Sequence, residues 1–209
     1  MNAIISVSDK SGLQELTNYL FENNYTIYGS GGTYNHILNS VSQDIYRDKL
    51  VKIEDLTEFP EILEGRVKTL HPKVYGGILF DKDNSKHRED LKNLNLLEFN
   101  LVVVNLYPFE SKKWIENIDI GGVSLLRAGA KNYKSVSVLS NPNQYSKFIQ
   151  SKVSNKELAL EAFKLTSYYD NLIYNFLNED KDIIDLKYGF NPQQKPCILE
   201  FENQPFKIL

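Results

Sequence analysis

With 209 residues and 42% hydrophobic content, the chain is long enough to bury a substantial core as one large or two small domains. Its formal charge of -3 argues against a general nucleic-acid or membrane-surface binder, so a bound anion has to be met by a local cluster of Lys and Arg. Cys197 is the only cysteine, which excludes an intrachain disulfide and a cysteine-based zinc cage; His36, His71 and His87 lack metal-ligand spacing, so no metal is expected. Met1 to Val7 has neither the basic head nor the long apolar run of a signal peptide and no later run reaches membrane length, so a cytoplasmic location and no membrane contact are expected.

Ala3 to Val7 is a short, β-branched apolar run bounded by Ser8-Asp9-Lys10-Ser11-Gly12, which reads as a buried strand ending in a polar turn. Leu13, Leu16, Leu20 and Phe21 then recur at helical spacing, Glu22-Asn23-Asn24 supplies a stop, and Thr26 to Tyr28 reads as a second strand. Gly29-Ser30-Gly31-Gly32-Thr33 leads into a short helix with Ile37 and Leu38 on its apolar face. Leu50 to Leu56 reads as a third, more polar strand.

The stretch Gly65-Arg66-Val67-Lys68-Thr69-Leu70-His71-Pro72-Lys73, continuing through Val74-Tyr75-Gly76-Gly77, reads as a shaped loop rather than a surface helix. Gly65 frees the backbone, Pro72 biases His71 towards an extended conformation, and the glycine pair leaves room for close backbone approach. Such a loop can hold fixed positive charge against an anion, or it can be a solvated basic turn.

Leu101 to Leu106 is the most apolar strand, continuous enough to be covered on both faces of a parallel sheet and so expected at its centre. Asn105 and Tyr107 then fall at its carboxyl end, the edge where open α/β sheets bind ligands. Ile118-Asp119-Ile120-Gly121-Gly122 precedes a helix from Val123 to Ala130, a strand follows at Val136 to Leu139, and residues 143–178 are expected to be mostly helical. Leu158, Ala162, Leu165, Tyr169, Leu172 and Phe176 mark one stripe of that last third and read as core. From Asp185 onward no periodicity is visible, and the tail reads as linker.

Two turns, Ser8 to Gly12 and Ser30 to Thr33, present hydroxyls and backbone amides at helix starts, where a phosphate is favoured, although Ser and Thr also cap helices without any ligand. Together with Arg66, Lys68 and Asp119 beside a third glycine pair, they suggest a phosphorylated small molecule. Asp119 is a catalytic carboxylate or a helix cap; Tyr107 is a proton donor or a packing residue. Lys131 is a functional cation or a favourable charge at a helix C-terminus. His71 ranks below the lysines as a base.

In order, residues 6–12 (Ser-Val-Ser-Asp-Lys-Ser-Gly), 30–33 (Ser-Gly-Gly-Thr), 65–73, 104–109 (Val-Asn-Leu-Tyr-Pro-Phe), 117–122 (Asn-Ile-Asp-Ile-Gly-Gly) and 130–132 (Ala-Lys-Asn) resemble the inosine monophosphate cyclohydrolase domain of bifunctional purine biosynthesis proteins. The resemblance implies a methylglyoxal-synthase-like α/β fold, with a mostly parallel central sheet flanked by helices and a helical C-terminal third. It divides the chain into a domain over 1–182 and a tail over 183–209, in which Leu186 to Pro192 looks like the opening of the transformylase domain that normally follows. It implies a cofactor-free ring closure of 5-formamidoimidazole-4-carboxamide ribotide to inosine monophosphate with loss of water.

Lys68, Tyr107, Asp119 and Lys131 are the implied catalytic group. Lys68 with amides near Ile120 and Gly121 would hold the oxyanion, Asp119 would orient or deprotonate the carboxamide, and Lys131 with Tyr107 would move the proton that expels water. Implied nucleotide contacts are Ser8, Asp9, Lys10, Ser30, Gly31, Gly32, Thr33, Arg66, Val67, Thr69, Val104, Asn105, Ile120 and Gly121. A homodimer and a separate transformylase partner are also implied, unless the chain is a truncated form. The chain departs from the family at Tyr133, commonly histidine, at Gly129, commonly alanine, and in a shorter connection over 110–116. A noncatalytic nucleotide-binding or regulatory domain of the same fold is the alternative; methylglyoxal synthase itself would need its own carboxylates and phosphate site.

Overall fold

Five apolar runs pair side by side into one parallel sheet. The computed structural model describes residues 1–41, 44–63, 67–109, 114–178, 183–185 and 198–200, so Arg66 and most of the tail lie outside the described residues. The elements run β1 (Asn2–Val7), α1 (Leu13–Glu22), β2 (Thr26–Gly29), α2 (Gly31–Ser40), β3 (Leu50–Lys52), α3 (Ile53–Thr57), α4 (Pro72–Leu79), α5 (Ser85–Asn93), β4 (Leu101–Asn105), α6 (Gly121–Lys131), β5 (Ser137–Leu139), α7 (Tyr145–Ile149) and α8 (Asn155–Leu177). Strand order is β3-β2-β1-β4-β5, every neighbouring pair parallel, with Ile4 opposite both Tyr28 and Val102. All five residues of β4 are buried, as a strand covered on both faces requires.

Strand order reverses between β1 and β4, because the chain moves from β1 to β2 and β3 on one side and to β4 and β5 on the other. A crevice opens at the carboxyl ends of strands at such a switch point. The centre of the sheet is therefore β1, with β4 beside it. Leu13, Leu16, Leu20 and Phe21 of α1 are buried in the core, each worth roughly 1.5–3 kcal/mol of burial. Gly12 starts that helix at φ +68°, a left-handed conformation that glycine adopts without strain.

Two expectations need correction, and one helix has no sequence signal. The polar strand over Leu50 to Leu56 stops at Lys52 and becomes α3, whose first turn carries Glu54 and Asp55, favourable charges at a helix N-terminus. The basic stretch ceases to be a loop at Pro72. His71, extended at φ -139° and ψ 142°, accepts a hydrogen bond at Nδ1 from Lys73 N at 3.2 Å, and Pro72 fills the first position of α4. Gly76 and Gly77 thus lie inside a helix. Gly77 does permit close approach: a Cβ there would sit 2.0 Å from the Leu97 carbonyl oxygen and 2.8 Å from the Phe99 ring. Helix α5, which buries none of its residues, has no apolar stripe to announce it and is started by Asn84, whose side chain accepts from Lys86 N and His87 N.

The chain forms two compact units, Met1–Tyr169 and Asp170–Leu209. In the second, β6 (Ile183–Asp185) and β7 (Ile198–Glu200) form an antiparallel pair in the tail read as linker. Among the described residues, no helix is long and apolar enough to cross a membrane.

Gly77→Ala is expected to destabilise the first unit by about 1–3 kcal/mol, since a backbone carbonyl cannot move aside as a side chain would. Urea denaturation measures it, and unchanged stability would contradict this packing.

Candidate functional site

The loop leaving β1 is shaped by one carboxamide. Asn105, 8% exposed at the end of β4, accepts at Oδ1 from Ser8 N at 2.7 Å, Ser8 Oγ at 2.9 Å and Asp9 N at 2.8 Å, and donates through Nδ2 to Asp9 O at 2.9 Å. Ser8 Oγ also donates to Leu106 O at 2.9 Å. The carboxylate of Asp9 accepts from Ser11 N at 2.9 Å, a local turn that holds it below the usual carboxylate range. Asn105, Ser8 and Asp9 are therefore committed largely to building the loop.

That loop delivers Lys10 to the end of α2. The Lys10 ammonium donates to Val7 O and to Thr33 Oγ1, and buried Thr33 in turn bonds both backbone groups of Val7. Burial lowers the Lys10 pKa; Asp9 offsets part of this and the charge of Lys68 adds to the lowering. Lys10 and Lys68 both line the cleft and place two cations in it. The start of α2 adds to this: Ser30 Oγ pairs with Ser6 Oγ at 2.9 Å, and around Gly32 there is open space.

The opposite wall is the start of α6. Asp119 accepts at Oδ1 from Gly122 N at 2.6 Å, so it caps the helix even as its carboxylate lines the cleft. Burial pushes its pKa up, against the stabilising N–H groups of Gly122 and Tyr107 and the charge of Lys68. Its backbone N–H donates to Tyr169 Oη at 2.9 Å. Both glycines are required here: a Cβ on Gly121 would lie 2.7 Å from Thr69 Oγ1, and one on Gly122 would lie 2.5 Å from Asp119.

The cleft between these walls has a volume of about 1000 Å³. It brings together Ser8, Lys10, Ser30, Gly32, Thr33, Lys68, Thr69, Asn105, Tyr107, Asp119, Ile120 and Gly121 of the sequence-predicted residues, and adds Ser6, Leu63, Ile115, Glu116, Asn117 and Ile118, which the sequence reading did not single out. Of these, only Ser6 and 117–118 fell within motifs the reading had marked.

Five predicted residues stand elsewhere. Asp9 is exposed outside the lining, Gly31 faces Glu61, and Val104 is buried inside β4. Val67 spends its backbone groups on a bridge to Ile62, at 3.2 and 3.4 Å. Lys131 is the last residue of α6, about 15 Å along the axis from its start, farther than a lysine side chain spans to Asp119 of the same chain. Gly129, packed against Val102 and Val138, and the half-buried Tyr133 are at that same far end, away from the cleft. No group of three or more His, Cys, Asp or Glu placed to hold a metal occurs among the described residues.

A family model for MGS-like domains matches residues 12–132, and one for the AICARFT/IMPCHase bienzyme matches 129–208, running through the tail. The bifunctional purine biosynthesis protein PurH of Prochlorococcus marinus (strain MIT 9301) is 42% identical over 221 residues, covering 92% of this chain and 42% of that protein. The protein of the same name from Thermoanaerobacter sp. (strain X514) is 41% identical over 235 residues, covering 98% and 44%. The chain therefore spans about two-fifths of the length of these curated relatives. The crystal structure of ForH superposes with a TM-score of 0.74 at 26% identity, over 86% of this chain and all of that one.

Asn105→Ala strands the amides of Ser8 and Asp9, a loss of about 1–3 kcal/mol in urea denaturation. Affinity for an anion, probed with inorganic phosphate by titration calorimetry, is expected to weaken as pH rises through the lowered Lys10 pKa, because the neutral amine removes one of the two cations lining the cleft. An affinity flat into the alkaline range would remove Lys10 from the anion site.

Proposed function

From the premise that this chain belongs to the MGS-like domain family, we propose that it is an inosine monophosphate cyclohydrolase, closing 5-formamidoimidazole-4-carboxamide ribotide with loss of water. Supporting the reading most directly is one cleft lined by Lys68, by the half-buried carboxylate of Asp119 whose pKa Lys68 influences, and by Lys10 at the start of α2. The purine biosynthesis names of the relatives and the AICARFT/IMPCHase match support the same substrate.

The phosphate lies against Lys10 and the α2 amides, which favour an anion through charge and the helix dipole. The carboxamide nitrogen then attacks the formyl carbon. Lys68 and the amides at Ile120 and Gly121 hold the oxyanion that forms. Asp119 takes the proton from nitrogen; its raised pKa makes it a stronger base than a solvated aspartate. The oxyanion takes that proton back from Asp119 and becomes a hydroxyl; water then leaves as the hydroxyl is protonated and the former formamide nitrogen gives up its proton to form the C=N bond, so a single proton relay serves both steps. Tyr107, half exposed at the cleft, stands where it can hand that proton on.

Lys131 enters this reading only through a second copy of the chain, in line with the homodimer the resemblance implies. The formylated substrate comes from a transformylase activity, and the setting is cytoplasmic.

Purified chain is expected to turn over the formylated ribotide, followed by its absorbance change, with dihydroxyacetone phosphate inert. Nucleotide binding without turnover would favour a regulatory domain instead. The rate should fall with pH as Asp119 protonates, with an acidic limb above the ordinary aspartate range that disappears in Asp119→Asn. Mixing the inactive Lys131→Ala and Asp119→Asn chains should restore about a quarter of the wild-type rate, since half the dimers in a statistical mixture carry one intact site. Full activity of Lys131→Ala alone would exclude Lys131.

A further inference from the structure

Tyr169 lies fifty residues from Asp119 in sequence and belongs to α8, yet its hydroxyl meets the turn that presents Asp119. It is 4% exposed. Its Oη donates to Asn117 O at 3.0 Å and accepts from Asp119 N at 2.9 Å, so one atom closes both ends of the three-residue turn before α6. The ring meets Phe109 edge-on, with centroids 6.1 Å apart, while the hydroxyl is held by its two hydrogen bonds to the turn. The turn itself has no apolar anchor of its own: Asn117, Ile118 and Asp119 are only half-buried, and Ile120 is 58% exposed.

We propose that Tyr169 is the positioning residue of the reaction, a clamp that sets the backbone of Asn117 to Asp119 and so the place of the Asp119 carboxylate in the cleft. The inference rests on the cyclohydrolase reading for its catalytic consequence, while the clamp itself is a statement about Asp119. Without the hydroxyl, the turn loses a donor and an acceptor at once. The carboxylate then swings towards water, and its alignment with the attacking nitrogen degrades. An ångström of misplacement is enough to cost about a hundredfold in rate.

The groups facing Asp119 are Lys68 across the cleft, the amides of Tyr107 and Gly122, and Tyr75 on α4, whose own pKa burial pushes up to about 12 with Asp119 adding to the rise. None of them is altered in Tyr169→Phe, which keeps the ring and deletes only the oxygen.

The test compares wild type, Tyr169→Phe and Phe109→Leu. Phe109→Leu loosens the ring contact and leaves the hydroxyl in place. Tyr169→Phe should lower kcat about 10–100-fold with KM for the ribotide within about threefold. Carbon-13 NMR titration of the Asp119 carboxyl should show its pKa moving down towards the ordinary aspartate value in Tyr169→Phe, and unmoved in Phe109→Leu even where the latter lowers Tm more. Near-UV circular dichroism verifies that both variants are folded. An unmoved Asp119 titration in folded Tyr169→Phe overturns the clamp, as does an equal shift in both variants. A wild-type chain that turns over no ribotide sinks the cyclohydrolase reading alone, since the titration still decides the clamp; and if Tyr169→Phe unfolds, the titration is run on Tyr169→Leu and Tyr169→His, where an Asp119 pKa closer to wild type with His than with Leu supports the clamp and the same Asp119 pKa in both overturns it.

Discussion

The cleft depends on a constraint at the switch point of the sheet: β1 and β4 end side by side, and the chain leaving β1 must bend away without leaving its amides unpaired. Asn105 meets that requirement with one side chain. Its oxygen accepts three hydrogen bonds from Ser8 and Asp9, and its nitrogen returns one to Asp9. An apolar residue at the end of so apolar a strand would bury better, but it would leave the loop amides without partners at a cost comparable to the burial gained. Once the loop is held, Lys10 can lie against Thr33, and the ends of β1 and α2 are joined by the Thr33 hydroxyl. The cation of the anion site is therefore a consequence of how a strand end is finished.

The other wall carries the opposite energetic sign. Asp119 sits where burial raises its pKa despite two amide donors and a nearby lysine. A carboxyl that is more basic folded than unfolded binds a proton more tightly in the folded chain, so its contribution favours folding below the unfolded pKa and is lost as pH rises through the folded one. Once ionised, Asp119 carries that cost in the folded chain. Capping α6 through Gly122 N recovers part of it, since an anion at a helix start is favourable. A solvated cap at the same position would be better for stability and a poorer base. This is the kind of local conflict expected where chemistry rather than folding sets the residue.

Much of the fold was legible because its signals are local. Buried parallel strands leave continuous apolar runs, and α1 and α6 carry clear stripes, so the order of elements could be read directly. What escaped was set by contacts between distant segments or by caps alone. Nothing in Val74-Tyr75-Gly76-Gly77 announces that a carbonyl at Leu97 presses on Gly77, and without it the glycine pair reads as loop. Helix α5 has no buried face and rests on its Asn84 cap. Within the site, the motifs fall on loops that line one cleft, but they do not say which way each group faces: Asn105 and Ser8 line it while their polar atoms are largely occupied by each other and by Asp9. Tyr169 was read as core from its stripe. Its ring fits that reading, while its hydroxyl reaches a turn fifty residues earlier, a relation no periodicity contains.

Helix α6 shows why a motif's residues need not share a site. Asp119 and Lys131 flank one eleven-residue helix, and a rigid helix keeps its ends apart by its own length. Residues before its first turn face the carboxyl edge of the sheet, and its last residue faces the amino edge, where Asn132 instead donates to Ile78 O and Phe80 O and ties α6 to α4. The same tie makes α6 a poor lever: with its far end fixed by Asn132 and its first turn fixed by Asp119, Gly121 against Thr69 and the Tyr169 hydroxyl, the helix cannot slide to bring Lys131 inward. A role for Lys131 in the chemistry of this cleft therefore requires a second chain to present it, and a monomeric chain would have to work with Lys10, Lys68, Tyr107 and Asp119.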